Sequence, residues 1–206
     1  MSDHQVVETS PDQPAFRRIF VQTFSKEPSF EFMLRDARTR NRGVAWLCDM
    51  KLRSRKASYF TLATTTAVRG FAWWLPPTRA PARGLFEQLR AGYWQAPFRL
   101  GLGGFERMLQ FGTQEARLLE KYLVTPHWIL DVIATDPTAQ RSGIGGALMQ
   151  PVFERSARDG IPCFVLTHNP RNVGFYEKYG FRLVIEEPLG KAGTPVAYGL
   201  ERAARP

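Results

Sequence analysis

A glycine-rich run at residues 140–146 constrains the fold of this chain more than any other stretch. An apolar, strand-like segment precedes the run, and a helix-like pattern begins inside it. Glycines let the backbone come close to a ligand, and the first N–H groups of a helix point at that ligand with the positive end of the helix dipole behind them. The run therefore predicts a strand–loop–helix unit that binds an anion, with a diphosphate as the expected guest.

The segments around this loop alternate between strand and helix patterns. Strands are predicted at 127–135, 162–167, 181–186 and 195–200, and helices at 143–158 and 170–179. A strand, a helix and a second strand in succession imply a parallel pair joined by a helical crossover. In such sheets ligands bind at the carboxyl ends of the strands, which is where the loop lies.

The first half of the chain predicts helices followed by a hairpin. The expected elements are a strand at 6–8, a helix capped by Ser10 or Asp12 that runs to Phe24, a helical region at 28–52 broken near Gly43, and strands at 59–65 and 68–75 with a turn at 65–67. A segment at 76–126 rich in proline and aromatic residues then predicts a helical insertion. Its aromatic stripe fits core packing or a binding pocket, and both interpretations stay open.

Length and charge limit the class of protein. A chain of 206 residues with 44% hydrophobic content predicts a single globular domain that spans residues 1–206. The net charge is +9, and arginine and lysine are concentrated at 35–56, which fits a solvated helix flank or a face that contacts phosphate or nucleic acid. No nucleic-acid motif accompanies this segment, so no nucleic-acid partner is predicted.

The sequence carries no sign of export, membrane insertion or metal binding. Its first residues lack the pattern of a secretory signal, and no apolar run approaches the ~18 residues of a membrane span. A cytoplasmic protein without a membrane partner is therefore predicted. Cys48 and Cys163 fall in separate helix-like and strand-like stretches, so both are expected to be buried apolar side chains rather than part of a disulfide or a metal site.

Two common phosphate-binding motifs do not fit the loop. A P-loop needs Lys followed by Ser or Thr directly after its last glycine, but Gly145 is followed by Gly146, Ala147 and Leu148. A dinucleotide fingerprint that starts at Gly143 would need a glycine where Leu148 stands, and the run does not lie in an early strand–helix–strand unit.

A third motif does fit. The loop reads Gln-x-x-Gly-x-Gly, and a second motif further along the chain contains Asn172, Phe175, Tyr176 and Gly180. In order and spacing the two motifs resemble the GNAT superfamily of acetyl-coenzyme A-dependent acetyltransferases. The resemblance implies the α/β GNAT acyl-CoA N-acyltransferase fold, a mixed central sheet flanked by helices and splayed where acetyl-CoA enters. It also implies acetyl-CoA as cosubstrate, no metal, and a homodimer as a common arrangement.

Over residues 127–187 the chain resembles the puromycin N-acetyltransferase-like branch of this superfamily more closely. The shared features are His127-Trp128-Ile129-Leu130, Pro151 inside the predicted helix, Gly160-Ile161-Pro162 and Pro170-Arg171-Asn172. A proline inside a helix costs about 3 kcal/mol, so chance is a poor explanation for its position. The branch usually has Glu-Thr-Ser where this chain has Leu166-Thr167-His168, so a carboxylate expected there is absent and the substrate of the branch does not transfer.

The resemblance assigns the residues that would bind acetyl-CoA. The pyrophosphate would be held, mainly through backbone N–H groups, by Gln140, Arg141, Ser142, Gly143, Gly145 and Gly146. The preceding strand would lend backbone groups to the pantetheine arm at Ile133, Ala134 and Thr135. Asn172 matches an asparagine that faces the cofactor, with a helix cap as its alternative role. Phe175 is either a pocket wall or a core residue.

Tyr176 is the residue predicted to carry chemistry. When an amine attacks a thioester the leaving thiolate needs a proton, and a tyrosine near the sulfur can act as the general acid. Asp131, His127 and His168 are the candidates for a base that deprotonates the amine. Strand alternation places His127, Ile129, Asp131 and Ile133 on one face, and His168 ends the next strand near the loop.

These residues predict an enzyme that transfers acetyl from acetyl-CoA to an amine by direct attack in a ternary complex. The acceptor pocket is expected between the 76–126 segment and the first helices around Phe30 and Phe32, whose aromatic content suits a small, partly apolar amine. A coenzyme A-binding sensor or regulatory protein without catalysis is the alternative, because the carboxylate of the branch is missing.

Overall fold

A computed structural model of the chain describes residues 4–64, 67–77, 90–190 and 193–204. These residues form one seven-stranded sheet in the order β1-β2-β3-β4-β5-β7-β6. The strands are β1 Val6–Glu8, β2 Phe60–Thr64, β3 Gly70–Leu75, β4 Trp128–Thr135, β5 Cys163–Thr167, β6 Arg182–Pro188 and β7 Val196–Arg202. Only β4 and β5 pair in parallel, so the sheet is mixed and the predicted helical crossover between these two strands is confirmed.

Six α-helices lie in the described ranges. They are α1 Pro14–Phe24, α2 Pro28–Met33, α3 Ala37–Arg55, α4 Ala96–Tyr122, α5 Ile144–Asp159 and α6 Val173–Glu177. Gly101 interrupts α4 with non-helical dihedral angles, φ 70 and ψ 162, and Pro151 lies inside α5 as predicted. None of these helices is long and apolar enough to cross a bilayer.

Helices cover both faces of the sheet. Alternation along β3 sends Trp73 and Trp74 to opposite faces, and both side chains are completely buried. Trp73 packs with residues of α1 and α3, such as Phe16 and Val44, whereas Trp74 packs with residues of α5, such as Leu148. The sheet is thus the middle layer of an α/β fold, and its central strand β4 supports the site described below.

The structure corrects two details of the first helices. The N-cap of α1 is Gln13 rather than Ser10 or Asp12, and Pro14 at the first helical position supplies a preset φ that needs no capping side chain. The break in the second helical region lies between α2 and α3 rather than at Gly43. There Asp36 accepts hydrogen bonds from the backbone N–H and the hydroxyl of the first turn of α3.

Gly43 instead lies inside α3 as a packing residue. A Cβ atom at this position would stand 2.8 Å from Cδ1 of Leu34, so the glycine leaves room for that side chain. Of the predicted turn at 65–67, Thr65 and Thr66 lie outside the described residues, as do residues 78–89 of the predicted insertion.

Candidate active site

A cleft opens between the parallel strands β4 and β5. Their pairing runs from Trp128–Cys163 to Leu130–Val165 and ends there, although β5 continues to pair with β7 as far as Thr167. Beyond Leu130 the edge of β4 that faces β5 has no strand partner among the described residues. Ile133, Ala134 and Thr135, the predicted pantetheine contacts, lie in this open part and are held on their other edge by β3.

The glycine-rich loop closes the carboxyl end of this cleft. Arg141 and Gly143 both adopt left-handed backbone conformations, with φ 64 and φ 92, and α5 begins at the next residue, Ile144. The N–H of Ala147 makes the first helical bond, to the carbonyl of Gly143 at 3.1 Å. The N–H groups at 144–146 therefore remain available as donors, which is a set that fits a diphosphate.

Asp136 fixes the start of the loop. Its carboxylate accepts hydrogen bonds from the backbone N–H of Thr138 at 3.0 Å and from the Thr138 hydroxyl at 2.8 Å, and Arg18 of α1 pairs with it at 3.0 Å. The bonds from Thr138, with a smaller effect of Arg18, hold the pKa of Asp136 below its usual value. The turn that leads into the loop thus carries a carboxylate that stays charged at neutral pH.

Two glycines of the loop have a packing role that the sequence does not reveal. A Cβ atom on Gly145 would stand 2.8 Å from Cζ of Phe175, and one on Gly146 would overlap the ring of Tyr179. The start of α5 therefore lies directly against the aromatic side chains of the 173–181 segment. Phe175, predicted as pocket wall or core, is a partly buried side chain of this contact.

We expect Gly146→Ala to destabilise the fold by about 1–2 kcal/mol, because the ring of Tyr179 must move and lose its edge contact with Phe175. Gly112→Ala is the matched control: Gly112 also lies in a helix, and a Cβ atom there meets nothing within 4 Å. That control should stabilise by about 0.5–1 kcal/mol. Urea unfolding of both variants measures the difference, and equal stability changes would contradict the packing role.

Tyr176 lies near the end of α6, among the buried side chains on the face of the sheet that α5 covers. Its side chain is 5% exposed and makes edge contacts with the rings of Phe175 and Phe181. Its hydroxyl makes no hydrogen bond to any described residue. Burial raises the pKa of Tyr176 above its usual value, and the nearby negative charge of Glu27 adds to the effect. The hydroxyl is therefore protonated at neutral pH and free to donate its proton.

Glu27 is a residue of this site that the sequence does not single out. Its carboxylate accepts a hydrogen bond from Nδ2 of Asn169 at 3.2 Å, although 142 positions separate the two residues. Burial raises the pKa of Glu27, against the effect of the Asn169 bond. A carboxylate thus stands at the end of β5 after all, supplied by the turn before α2 rather than by β5 itself.

Thr167 connects the two asparagines that follow β5. Its hydroxyl oxygen accepts hydrogen bonds from Nδ2 of Asn172 at 3.0 Å and from the backbone N–H of Asn169 at 3.3 Å. Asn172 occupies the N-cap position of α6 but makes no side-chain capping bond, so the alternative role predicted for it as a cap is wrong. Its assignment as a cofactor contact stays a prediction.

The candidate bases from the sequence are all engaged or shielded. Asp131 binds Nζ of Lys51 with both oxygens at 2.9 Å and accepts a short hydrogen bond from Tyr59. The ring of His168 packs edge-on against Phe111, its Nε2 is buried without a partner, and burial lowers its pKa to about 4. His168 is therefore neutral at pH 7 and a weak base.

His127 lies at the amino end of β4, far from the loop at the other end of the strand. Its two ring nitrogens are within bonding distance of the Thr125 carbonyl, at 2.7 Å, and of Glu201, at 3.0 Å. Its location and partners are those of a structural residue. The predicted shared face is also partly wrong: a bulge lets Trp73 pair with Val132 and Trp74 with Leu130, so Ile133 turns to the face opposite Asp131.

Other groups in the described ranges do not suggest metal or thiol chemistry. No group of three or more His, Cys, Asp or Glu side chains is placed there to hold a metal ion. Cys48 and Cys163 are buried and unpaired, as predicted, and burial raises their pKa values to about 12 and about 11. Both thiols are therefore poor nucleophiles at neutral pH.

Comparison with known protein families gives one match over the second half of the chain. Residues 104–183, from α4 to the start of β6, match the model of the acetyltransferase (GNAT) domain. This part of the chain is therefore similar to the acetyltransferase (GNAT) domain. The finer resemblance to the puromycin N-acetyltransferase-like branch stays a prediction.

Relatives and solved structures extend the comparison. Mycothiol acetyltransferase of Brachybacterium faecium is 40% identical over 55 residues, which is 25% of this chain and 17% of the relative. The uncharacterized N-acetyltransferase YjcF of Bacillus subtilis is 30% identical over 66 residues, which is 32% of this chain and 47% of the relative. The chain thus spans less than half of the length of each of these two relatives.

Two structural neighbours cover nearly the whole chain. The histone acetyltransferase HPA2 and related acetyltransferase from Corynebacterium glutamicum has a TM-score of 0.66 at 18% identity, over 98% of both chains. A GNAT family acetyltransferase from Elizabethkingia anophelis, solved with acetyl-CoA bound, has a TM-score of 0.52 at 12% identity, over 98% of this chain and 99% of that chain. At such identities the likeness shows the fold, which is the predicted α/β GNAT fold.

Proposed function

We propose that the protein is an N-acetyltransferase that moves the acetyl group of acetyl-CoA to an amine of a small, partly apolar acceptor. One observation carries the proposal: the donors at 144–146 lie at the carboxyl end of the cleft between β4 and β5, and the segment with Tyr176 packs directly against them. Acetyl-CoA, with its diphosphate held at the loop, would therefore extend its pantetheine arm along the open edge of β4.

Different residues of the cleft bind different parts of acetyl-CoA. The free N–H groups at the start of α5 hold the diphosphate, with backbone groups of Gln140, Arg141 and Ser142 beside them. Backbone groups of Ile133, Ala134 and Thr135 bond the pantetheine arm, because their edge toward β5 is open. When bound, acetyl-CoA supplies a thioester whose carbonyl carbon can be attacked by an amine.

Glu27 and Tyr176 then move the protons of the reaction. Glu27 accepts a proton from the ammonium group of the acceptor, which frees the nitrogen lone pair to form the N–C bond. As the C–S bond breaks, the Tyr176 hydroxyl gives its proton to the sulfur. After the N–C bond has formed, the nitrogen loses a second proton, which restores the Tyr176 hydroxyl. The products are an amide, a free thiol and one proton on Glu27.

The raised pKa of Tyr176 is compatible with this donation. A tyrosine that holds its proton tightly would be a poor acid toward a thiolate in water. A thiolate that leaves beside the buried Tyr176 is disfavoured by the same loss of hydration, which raises the pKa of the thiol as well. Burial therefore shifts the proton affinities of the two groups in the same direction, and direct transfer does not require a covalent acyl-enzyme.

We also propose that α2 and α4 shape the acceptor pocket. The two helices pack together, and Nη2 of Arg107 in α4 donates a hydrogen bond to the Met33 carbonyl of α2 at 3.1 Å. Phe111 of α4 contacts His168 at the end of β5, so α4 reaches the same end of the sheet as Glu27. The predicted insertion thus borders the proposed acceptor side of the cleft.

Thiol release from acetyl-CoA, measured across a panel of primary amines of increasing apolar size, tests the proposed function. We expect turnover with at least one small amine that carries an apolar group, and none when the amine is replaced by the matching alcohol. Tight binding of coenzyme A without turnover of any amine would leave the coenzyme A-binding sensor as the better description.

A further inference from the structure

A concave groove lies on the surface of the helical layer that contains α1 and α3. It runs between α1 and α3 and is closed at one end by the start of α4, with a volume of about 710 Å³. Sites for small organic ligands commonly have about 300–1,000 Å³. None of the residues that line the groove belongs to the loop at 140–146 or to the 167–177 segment.

The floor of the groove is apolar. Trp46 and Met50 of α3 lie there with 8% and 1% of their surface exposed, and Val21 of α1 borders them. The indole of Trp46 is held in place by an edge contact with Tyr93, with the ring centres 6.2 Å apart. Such a floor suits a ligand with an apolar or aromatic body.

The rim of the groove is strongly basic. Five arginines line it, against one carboxylate, Asp49; they are Arg17, Arg18, Arg42, Arg53 and Arg99. Two of them are neutralised, since Arg17 pairs with Asp49 at 2.9 Å and Arg18 pairs with Asp136 at 3.0 Å. The other three are exposed and form no ion pair or hydrogen bond in the described part of the chain.

The spacing along α3 places these cations around the floor. Arg42, Trp46, Asp49 and Arg53 follow one another at intervals of three or four residues, which is one face of a helix. Arg99 approaches from the start of α4, so guanidinium groups stand on more than one side of the apolar floor. Guanidinium groups bind carboxylates and phosphates through paired N–H donors.

We propose that this groove is a binding site for a small ligand with an apolar body and at least two carboxylate or phosphate groups. A nucleic acid is a poorer match, because the three unpaired arginines surround a bounded apolar pocket rather than continuing along a stripe. Arg40 and Lys51 elsewhere on α3 are neutralised by Glu31 and Asp131, which further limits the basic surface.

Calorimetric titration of the full chain tests this site, with saturating coenzyme A present so that the loop does not compete for the probes. The probes are benzene-1,3,5-tricarboxylate and benzene-1,3-diyl bisphosphate, each of which carries at least two anionic groups, and the uncharged benzene-1,3,5-tricarboxamide is the control ligand. We expect at least one anionic probe to bind and the tricarboxamide not to bind. A preference for one of the two anionic probes shows whether the site favours carboxylate or phosphate groups.

The double variant Arg42→Gln, Arg53→Gln should weaken binding of the anionic probe by at least about tenfold, since each lost guanidinium removes charge-assisted hydrogen bonds. Arg182→Gln on β6, an exposed arginine outside the groove, should leave the affinity unchanged. Absence of binding by both anions, equal binding of the tricarboxamide, or an unaffected double variant would overturn the site. Salt-sensitive binding of duplex DNA without binding of either anion would assign the rim to nucleic acid instead.

Discussion

Replacing Tyr176 with phenylalanine is expected to lower kcat by about 10²–10⁴-fold, the usual contribution of a positioned general acid. The affinity for coenzyme A should change little, because the proposed contacts to the diphosphate and the pantetheine arm are backbone groups elsewhere in the cleft. The fold should also be preserved, since the hydroxyl makes no hydrogen bond to any described residue and the ring contacts with Phe175 and Phe181 remain. Steady-state kinetics and coenzyme A titration measure the two effects separately.

Tyr179→Phe is the matched control for this variant. Tyr179 follows three positions later, and its ring packs over Gly146, so the control removes a neighbouring hydroxyl and keeps the packing. We expect the control to retain a kcat within a few-fold of the unmodified protein. A Tyr176→Phe variant as active as the Tyr179→Phe control would show that the thiolate receives its proton from another source, such as water.

The sequence predicts most of the fold because its signals are local and periodic. The apolar run of β4, the glycine-rich loop and the amphipathic pattern of α5 follow one another in the order that a strand–loop–helix unit requires, and Pro151 does not interrupt the helix. Strand alternation fails within β4. It cannot detect the bulge at Asp131, because an extra residue in one strand is defined only by the pairing with β3.

The candidate site is less predictable, because its contacts join distant parts of the chain. Glu27 reaches Asn169 across 142 positions, and no pattern around Glu27 other than a helix start at Pro28 draws attention to it. Gly146 resembles a ligand-binding glycine in sequence, yet its missing Cβ makes room for Tyr179. Asp131 is polar and correctly placed on a strand, but only the fold shows that Lys51 and Tyr59 engage it.

Replacing Glu27 with glutamine is expected to lower kcat/KM at neutral pH by about 10²-fold, because the amide cannot accept the ammonium proton. In the unmodified protein the rate should fall as pH drops through the pKa of Glu27, which burial raises above its usual value. The pH–rate profile of the variant should lack this fall at low pH. Its rate should instead rise with pH in proportion to the free amine of the acceptor, so the deficit shrinks under basic conditions.

Measurements of the stability of Glu27→Gln distinguish a catalytic role of Glu27 from a structural one. A carboxyl group whose pKa is raised in the folded state contributes its full stabilisation at pH values below its unfolded pKa. That contribution is lost as the pH rises through the folded pKa. Glu27→Gln should therefore leave the protein at least as stable at pH 7 while activity falls. A purely structural role for Glu27 would make activity and stability fall together.

Glu31→Gln provides the same chemical change one turn further along, at an exposed carboxylate that pairs with Arg40. Its kcat/KM and pH profile should match those of the unmodified protein. Acceptors offer a second control, since an amine that is already neutral at pH 7 needs no base and should lose little rate in Glu27→Gln. A loss that is equally large for such an amine and for a protonated one would mean that Glu27 positions the acceptor instead of deprotonating it.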